Sequence, residues 1–206
     1  MHLVTAIDIE ASSTRLGPGS ILSIGACLYE VSTGGPGKIL RSFCMNIAWP
    51  NGPVFDRVTE AFWNHHADAL EVNTRNGFPP THVASEFSLF LDECQQQVSR
   101  RAATYTILTD NRQFDVGWLE WFLAQYAPEN STTVLHSKSL GPMFNFIVDL
   151  RQRQHALRDI GIRLARPPTA RPDHTPYTDA CFLAERYELY LRVCKNMAHT
   201  FHLKPP

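Results

Sequence analysis

Residues 3–10, LVTAIDIE, form an apolar run that ends in two carboxylates, Asp8 and Glu10. A run of this length, rich in Val, Ile and Thr, predicts a buried β-strand. Because residues i and i+2 of a strand project from the same face, the two carboxylates point the same way. Such a pair at the end of a buried strand needs a cation or a shared proton. On this stretch alone the alternative, that Glu10 lies in solvent where the strand ends, is equally open.

Composition bounds the class of protein. The 206 residues are 44% hydrophobic and 19% charged, which fits one soluble globular domain over residues 1–206. No signal peptide or membrane-length apolar run is evident, so we expect an intracellular, cytoplasmic protein with no membrane partner. Five cysteines without a CxxC motif favour reduced thiols. The net charge of -1 means that any nucleic-acid binding must be local.

The order of predicted elements indicates the fold class. Two further strands follow the first, at 21–31 and 38–47, and Gly25 offers close approach of a neighbouring element. Helical spacing begins at Val58 and includes Ala61 and Ala69. Later helices are predicted at 81–98, 114–126 and 177–195, and later strands at 103–108 and 132–136. A three-strand antiparallel meander followed by alternating helices and strands predicts an α/β fold, a mixed sheet flanked by helices.

Two more carboxylates fall in the first turns of predicted helices. Apolar residues recur at +3, +4, +7, +8 and +11 from Asp115, and at +3, +4, +8 and +11 from Asp179, so both aspartates face inward. For either one alone, capping of the helix N-terminus is the better explanation. Four inward acids in one chain are too costly to accumulate without a role, and they are the oxygen ligands that Mg²⁺ prefers. A pair of such ions suits in-line attack on a phosphodiester.

A histidine precedes the last of these acids by five residues. His174, in DHTPYTDA, is expected in the loop that leads into the final helix. Histidine exchanges protons near neutral pH, so it could deprotonate an attacking water. A loop histidine without a chemical role is the alternative that its position alone favours.

Taken in order, Asp8-x-Glu10, Asp115 in NRQFD and His174-x4-Asp179 resemble the three motifs of DEDDh-type 3′–5′ exonucleases of the DnaQ-like superfamily. The resemblance runs from residue 3 to about 190 and implies a ribonuclease H-like fold. It implies that Asp8, Glu10, Asp115 and Asp179 bind two divalent cations, Mg²⁺ or Mn²⁺, and that His174 is the general base. The sister group has Tyr where this chain has Thr175, which favours the histidine type.

Within the superfamily, Phe62-Trp63 and residues 148–151 (VDLR) look most like the compact DexA-like and mycobacterial exoribonuclease-like branch. The chain departs from common family patterns at residues 11–13, where Ala-Ser-Ser stands in place of a Thr-Thr-Gly type sequence, and at Pro176. The predicted substrate contacts lie in or near the motifs and in an arginine-rich segment. They are Ile9, Ala11, Ser12, Trp63, Asn111, Arg163, Arg166 and Arg171.

Two of these predictions have alternatives. Trp63 could stack on a base, although a tryptophan at helical spacing more often belongs to the core. The arginines could contact phosphates of a single strand, or they could form a solvated surface.

The function inferred here is hydrolysis of single-stranded nucleic acid or short oligonucleotides, RNA or DNA, to nucleoside 5′-monophosphates. A ribonuclease H-like endonuclease and a catalytically inactive nucleic-acid-binding or scaffold module are the alternatives. The sequence leaves a homodimer open.

Overall fold

The computed structural model describes residues 1–32, 34–127, 147–164 and 173–200. Its five strands are β1 (His2–Ala11), β2 (Ile21–Val31), β3 (Lys38–Asn46), β4 (Thr104–Thr109) and β5 (Ile147–Asp149). Its helices in these ranges are α1 (Arg57–His65), α2 (Ala67–Thr74), α3 (Pro80–Arg101), α4 (Arg112–Tyr126), α5 (Leu150–Asp159) and α6 (Pro176–Thr200). None of the helices in the described part of the chain combines the length and the apolar character that crossing a bilayer requires.

The strands form one mixed sheet in the order β3-β2-β1-β4-β5. The first three strands pair antiparallel in chain order, as the meander prediction requires, while β4 pairs parallel with β1 and β5 pairs parallel with β4. Both added strands return through helical connections, which parallel pairing needs. The predicted α/β fold, a mixed sheet flanked by helices, is confirmed.

The sheet is buried on both faces because β1 alternates its side chains between two apolar clusters. Leu3 and Ile7 pack in the larger cluster with side chains of α3 and α4. Val4 and Ala6 point the other way and pack against α6. Burial on both faces explains why β1 is a continuous apolar run rather than an alternating one.

Two element predictions change in detail. The helical spacing from Val58 through Ala69 predicted one helix, but the helix ends at His65 and α2 begins at Ala67. His66 between them has φ -128° and ψ 44°, outside the helical region, and its N–H donates to the Trp63 carbonyl. The segment before residue 161, which carried no definite assignment, contains β5 and α5. The strand predicted at 132–136 lies outside the described residues.

Gly25 confirms the expected close approach of a neighbour. It pairs with Asp8 in the β1–β2 register. A Cβ atom at this position would lie 2.1 Å from the backbone carbon of Pro176 and 2.2 Å from the backbone nitrogen of Tyr177. The absent side chain therefore lets the first turn of α6 rest directly on the sheet.

We expect Gly25→Ala to destabilise the protein by about 1–3 kcal/mol, the usual cost of forcing extra atoms into a packed site. Urea unfolding of the two proteins measures the difference. Gly117→Ala is the matched control, because a Cβ on that α4 glycine meets no atom within 4 Å and alanine is the better helix former. Equal stability of Gly25→Ala and the wild type would contradict the close contact.

Candidate active site

The candidate site lies where the parallel strands β1, β4 and β5 end. Carboxyl ends of parallel strands meet at one edge of a sheet, and this edge is where open α/β sheets place their ligands. Asp8 and Glu10 lie in the last part of β1, Asp110 directly follows β4, and Asp149 is the last residue of β5. Acidic residues of all three strands therefore gather along this edge.

The two β1 carboxylates face α6. Asp8 and Glu10 continue the alternation of Val4 and Ala6, whose side chains pack against that helix. Asp8 is half-buried and Glu10 is 9% exposed. The pairing of β1 with β2 is irregular between Glu10 and Ala11, so the strand changes register directly after the second carboxylate.

The first turn of α6 brings the last predicted acid to β1. Ligand atoms of Glu10, His174 and Asp179 all lie within 4.8 Å of one another, a separation at which one metal ion could be bound by all three. The backbone N–H of Asp173 donates to Asp179 Oδ1 at 3.1 Å. This bond ties the loop before α6 to the carboxylate in the helix.

Asp115 reaches the site from the first turn of α4, as predicted. It is 3% exposed, and the Asn111 N–H donates to its Oδ2 at 3.1 Å. The Asn111 side chain caps the same helix by accepting from the Phe114 N–H. Asp115 therefore sits in a helix N-terminus whose dipole favours negative charge.

Burial and repulsion from neighbouring acids raise the pKa values of all four acids. Burial raises the pKa of Asp115 to about 8 and that of Asp179 to about 6. Burial, with repulsion from Asp115 and other neighbouring acids, raises the pKa of Asp8 well above its usual range. Burial and the charge of Asp179 do the same for the pKa of Glu10. Within the described ranges no lysine or arginine forms an ion pair with any of the four.

Such a set of oxygen ligands, which repel one another and have no cationic partner among the described residues, fits hard divalent cations. This donor set matches the predicted requirement for Mg²⁺ or Mn²⁺.

His174 is held in a defined place by both its backbone and its ring. Its φ is 61°, a left-handed conformation that is uncommon for a residue other than glycine. The ring lies 5.0 Å from the Phe62 ring and 4.4 Å from the His66 ring, centroid to centroid. The break between α1 and α2 thus places two aromatic side chains beside the candidate base.

A buried asparagine fixes the His174 backbone. Asn73 of α2 is 1% exposed, accepts from Ser23 Oγ at 2.8 Å and donates to the His174 carbonyl at 2.6 Å. These bonds connect α2, β2 and the loop before α6. Loss of either partner would leave a buried polar group unsatisfied, which typically costs about 1–3 kcal/mol.

The structure contradicts two predicted side-chain contacts with substrate. Trp63 is 2% exposed and its Nε1 donates to the Ala11 carbonyl, so the ring belongs to the core and cannot stack on a base. Ser12 is fully buried, and the single O–H of its side chain is surrounded by the backbone carbonyls of Gly19, Ser20 and Val54, of which Val54 is the nearest acceptor at 2.8 Å. Ser12 therefore anchors the β1–β2 connection rather than presenting a hydroxyl to substrate.

Four other predicted contacts are placed by the structure as follows. The Ile9 side chain packs in the cluster on the opposite face of the sheet from Asp8, and Ala11 is 6% exposed. Asn111 and Arg163 are exposed, and Asn111 adjoins the site through Asp115. Arg166 and Arg171 lie outside the described residues.

Three acids near the site were missed in the sequence. Asp110 and Asp149 both add negative charge around Asp115, and Asp173 does the same at Glu10 and Asp179. Asp149 also caps α5 and accepts from the Arg112 N–H. The position of Asp110 could have indicated it, because it lies within two residues of the end of the predicted strand 103–108, where ligands of open α/β sheets bind. The sequence did not indicate that Phe62 and His66 lie beside His174, because both precede it by more than 100 residues.

The chain matches no known family model and no curated protein. Among solved structures it is similar to S. pombe Pop2p in its Mg²⁺- and Mn²⁺-bound form, with a TM-score of 0.53 and 14% identity over 98% of this chain and 86% of that one. It is also similar to the nuclease domain of 3′hExo, a DEDDh family member, bound to rAMP. The TM-score is 0.48 and the identity 15%, over 93% of this chain and 92% of that one. For cell-death related nuclease 4 (CRN-4) the TM-score is 0.45 and the identity 14%, over 96% of this chain and 64% of that one. The likeness to Pop2p shows the ribonuclease H-like fold that the sequence predicts.

We expect Asp8→Asn to stabilise the metal-free protein in a pH-dependent way. Because the pKa of Asp8 is raised by folding, ionising it costs free energy once the pH exceeds its unfolded value of about 4. The gain should be absent near that pH and should grow towards pH 8, reaching at least about 3 °C in Tm, or about 1 kcal/mol in a chain of this size.

Thermal unfolding in chelator at several pH values measures this effect. Glu86→Gln is the control, because Glu86 is exposed on α3, and it should leave Tm unchanged. A lower Tm of Asp8→Asn at pH 8 would show that the carboxylate stabilises the fold.

Proposed function

We propose that this protein is a metal-dependent 3′–5′ exonuclease of the DEDDh type. Its substrates would be single-stranded nucleic acid or short oligonucleotides, RNA or DNA, and its products nucleoside 5′-monophosphates. The observation that carries the proposal is the convergence of ligand atoms of Glu10, His174 and Asp179 within 4.8 Å, beside the half-buried Asp8 and the buried Asp115. The fold shared with Pop2p, whose structure holds Mg²⁺ and Mn²⁺, supports it.

The four carboxylates Asp8, Glu10, Asp115 and Asp179 would hold two divalent cations. Bound cations of this kind supply Lewis-acid stabilisation of the charge that develops on a phosphodiester. The chain's own contribution is to hold the four carboxylates close together at one edge of the sheet, with no lysine or arginine of the described residues paired to them. The first turn of α4 positions the Asp115 carboxylate. The first turn of α6, which packs directly on Gly25, positions the Asp179 carboxylate.

His174 would take the proton from the water that attacks phosphorus. A base must lie within reach of the attacking water in a defined orientation. The hydrogen bond from Asn73 to its carbonyl and the ring contacts with Phe62 and His66 restrict the imidazole to the neighbourhood of Glu10 and Asp179. The same closeness would also suit a role as a metal ligand. Loss of a metal ligand would weaken metal binding, whereas loss of a general base would not.

Some finer assignments stay predictions. They are the placement in the DexA-like branch, a homodimer and a cytoplasmic location.

A direct test is digestion of 5′-end-labelled RNA and DNA of one sequence with Mg²⁺ or Mn²⁺. We expect stepwise shortening from the 3′ end that stops in excess chelator, which removes the cations, and in Asp8→Asn, which removes one of their ligands. A 3′-phosphate should block the reaction and a 5′-phosphate should not. Glu86→Gln, an exposed charge removed far from these acids in the sequence, should digest at the wild-type rate.

Three outcomes would contradict this proposal. Full activity in excess chelator would exclude dependence on metal. Cleavage of a circular single strand would indicate the endonuclease, and no hydrolysis of any strand would favour the inactive binding or scaffold module.

We expect His174→Ala to lower turnover by about 10²- to 10⁴-fold, the usual contribution of a positioned general base. Binding of Mn²⁺, measured by calorimetry, should persist because the four carboxylates remain. Substrate affinity should change little, since the lost interaction belongs to the transition state. Near-normal turnover, or a loss that excess Mn²⁺ restores, would mean that His174 is not the base.

A further inference from the structure

A polar pocket lies between α5 and α6, outside the carboxylate cluster. It has a volume of about 370 Å³ and is lined by Gln154, Arg158, Arg163, Leu164 and Arg186. Gln154 and Arg158 are one helical turn apart on α5, and Arg163 follows the turn at Gly161, whose φ is 81°. Three guanidinium groups thus converge without a carboxylate among these lining residues.

The buried glutamine in this pocket has an unused donor. Gln154 is 6% exposed and its Oε1 accepts a hydrogen bond from Arg186 Nη2. This bond fixes which way the amide is turned. Its Nε2 is buried and finds no hydrogen-bond acceptor among the residues that the structure describes. A buried donor without an acceptor is costly, so an acceptor that enters the pocket would be favoured.

The arginines have the arrangement that an oxyanion requires. Arg158 and Arg163 are exposed, and neither forms an ion pair with a carboxylate of the described residues. Arg186 is half-buried with its guanidinium over the Phe182 ring, 5.3 Å from the centroid. Guanidinium groups bind phosphate oxygens through two parallel hydrogen bonds, and the Gln154 amide would add a neutral donor.

We propose that this pocket binds a phosphate group. The phosphate would accept hydrogen bonds from Arg158 and Arg163 and from the free N–H of Gln154. Two sources share this chemistry: a backbone phosphate of a bound nucleic-acid strand, and a free phosphate, pyrophosphate or nucleotide.

The position of the pocket favours the strand. Arg186 lies seven residues after Asp179, so it is on nearly the same face of α6 and about 10 Å further along the helix axis. A strand with its 3′ end at the carboxylates could pass the pocket at that distance. This source rests on the proposed exonuclease function, whereas binding of a free phosphate does not.

The first experiment titrates inorganic pyrophosphate into the full-length, metal-free protein by calorimetry at fixed ionic strength. We expect the wild type to bind, and the double variant Arg158→Ala/Arg163→Ala to bind at least about tenfold more weakly, since each exposed arginine supplies charge-assisted hydrogen bonds. Arg151→Ala is the matched control, because Arg151 is an exposed arginine of α5 that does not line the pocket. It should bind like the wild type.

A second variant tests the buried amide. Gln154→Glu keeps the shape of the side chain and places a carboxylate next to Arg186, so the fold should persist while pyrophosphate binding is lost. Failure of the wild type to bind pyrophosphate, or unchanged affinity in both the double variant and Gln154→Glu, would overturn the proposal.

The second experiment identifies the source of the phosphate. Binding of a labelled single strand is measured without metal at several salt concentrations. If a strand phosphate occupies the pocket, the double variant should reduce the slope of log K against log salt by about 0.7, the value for one lost phosphate contact on a single strand, and Arg151→Ala should leave it unchanged. Weaker pyrophosphate binding with an unchanged slope would assign the pocket to free phosphate. Neither titration involves hydrolysis, so an inactive enzyme would not affect the result.

Discussion

Repulsion among carboxylates at one edge of the sheet is the constraint on which this structure depends. The charge on Asp8 is opposed by burial and by the neighbouring charges of Asp115, Glu10, Asp179 and Asp110. Without metal, this cluster works against folding, because desolvated like charges are unfavourable. It persists because the apolar clusters on the two faces of the sheet fix β1, α4 and α6 together. A bound cation would make the contribution of these carboxylates to folding stability favourable, because each would then face a positive charge.

The site is positioned by contacts that are individually small. Gly25 admits the backbone of Pro176 and Tyr177, which sets the height of the first α6 turn above the sheet. Asn73 then holds the His174 carbonyl while His174 takes a left-handed φ of 61°. A strained backbone persists only where its surroundings over-determine it, and such positions concentrate at functional sites. The left-handed conformation of His174 therefore depends on the hydrogen bond from Asn73.

Patterns that act within one element were predictable from the sequence, and contacts between distant elements were not. Helical spacing placed Asp115 and Asp179 on inward faces, because burial of an amphipathic helix follows from its own residues. The role of Trp63 depends on the packing of α1 against Ala11, which lies 52 residues earlier. The residues of α1 alone do not indicate this contact. Asp110 and Asp149 joined the cluster only once the order of the strands was known.

Helix α6 connects two regions of opposite charge that the net charge of -1 conceals. Its first turn carries Asp179 in the acidic cluster, and two turns later Arg186 lines the pocket with Arg158 and Arg163. A polyanionic strand would be repelled by the carboxylates alone and attracted by the arginines alone. In the proposed enzyme, divalent cations would neutralise the first region and phosphates the second. The two kinds of ligand would then act on one rigid helix, which would hold the end of the strand and its backbone at a fixed separation.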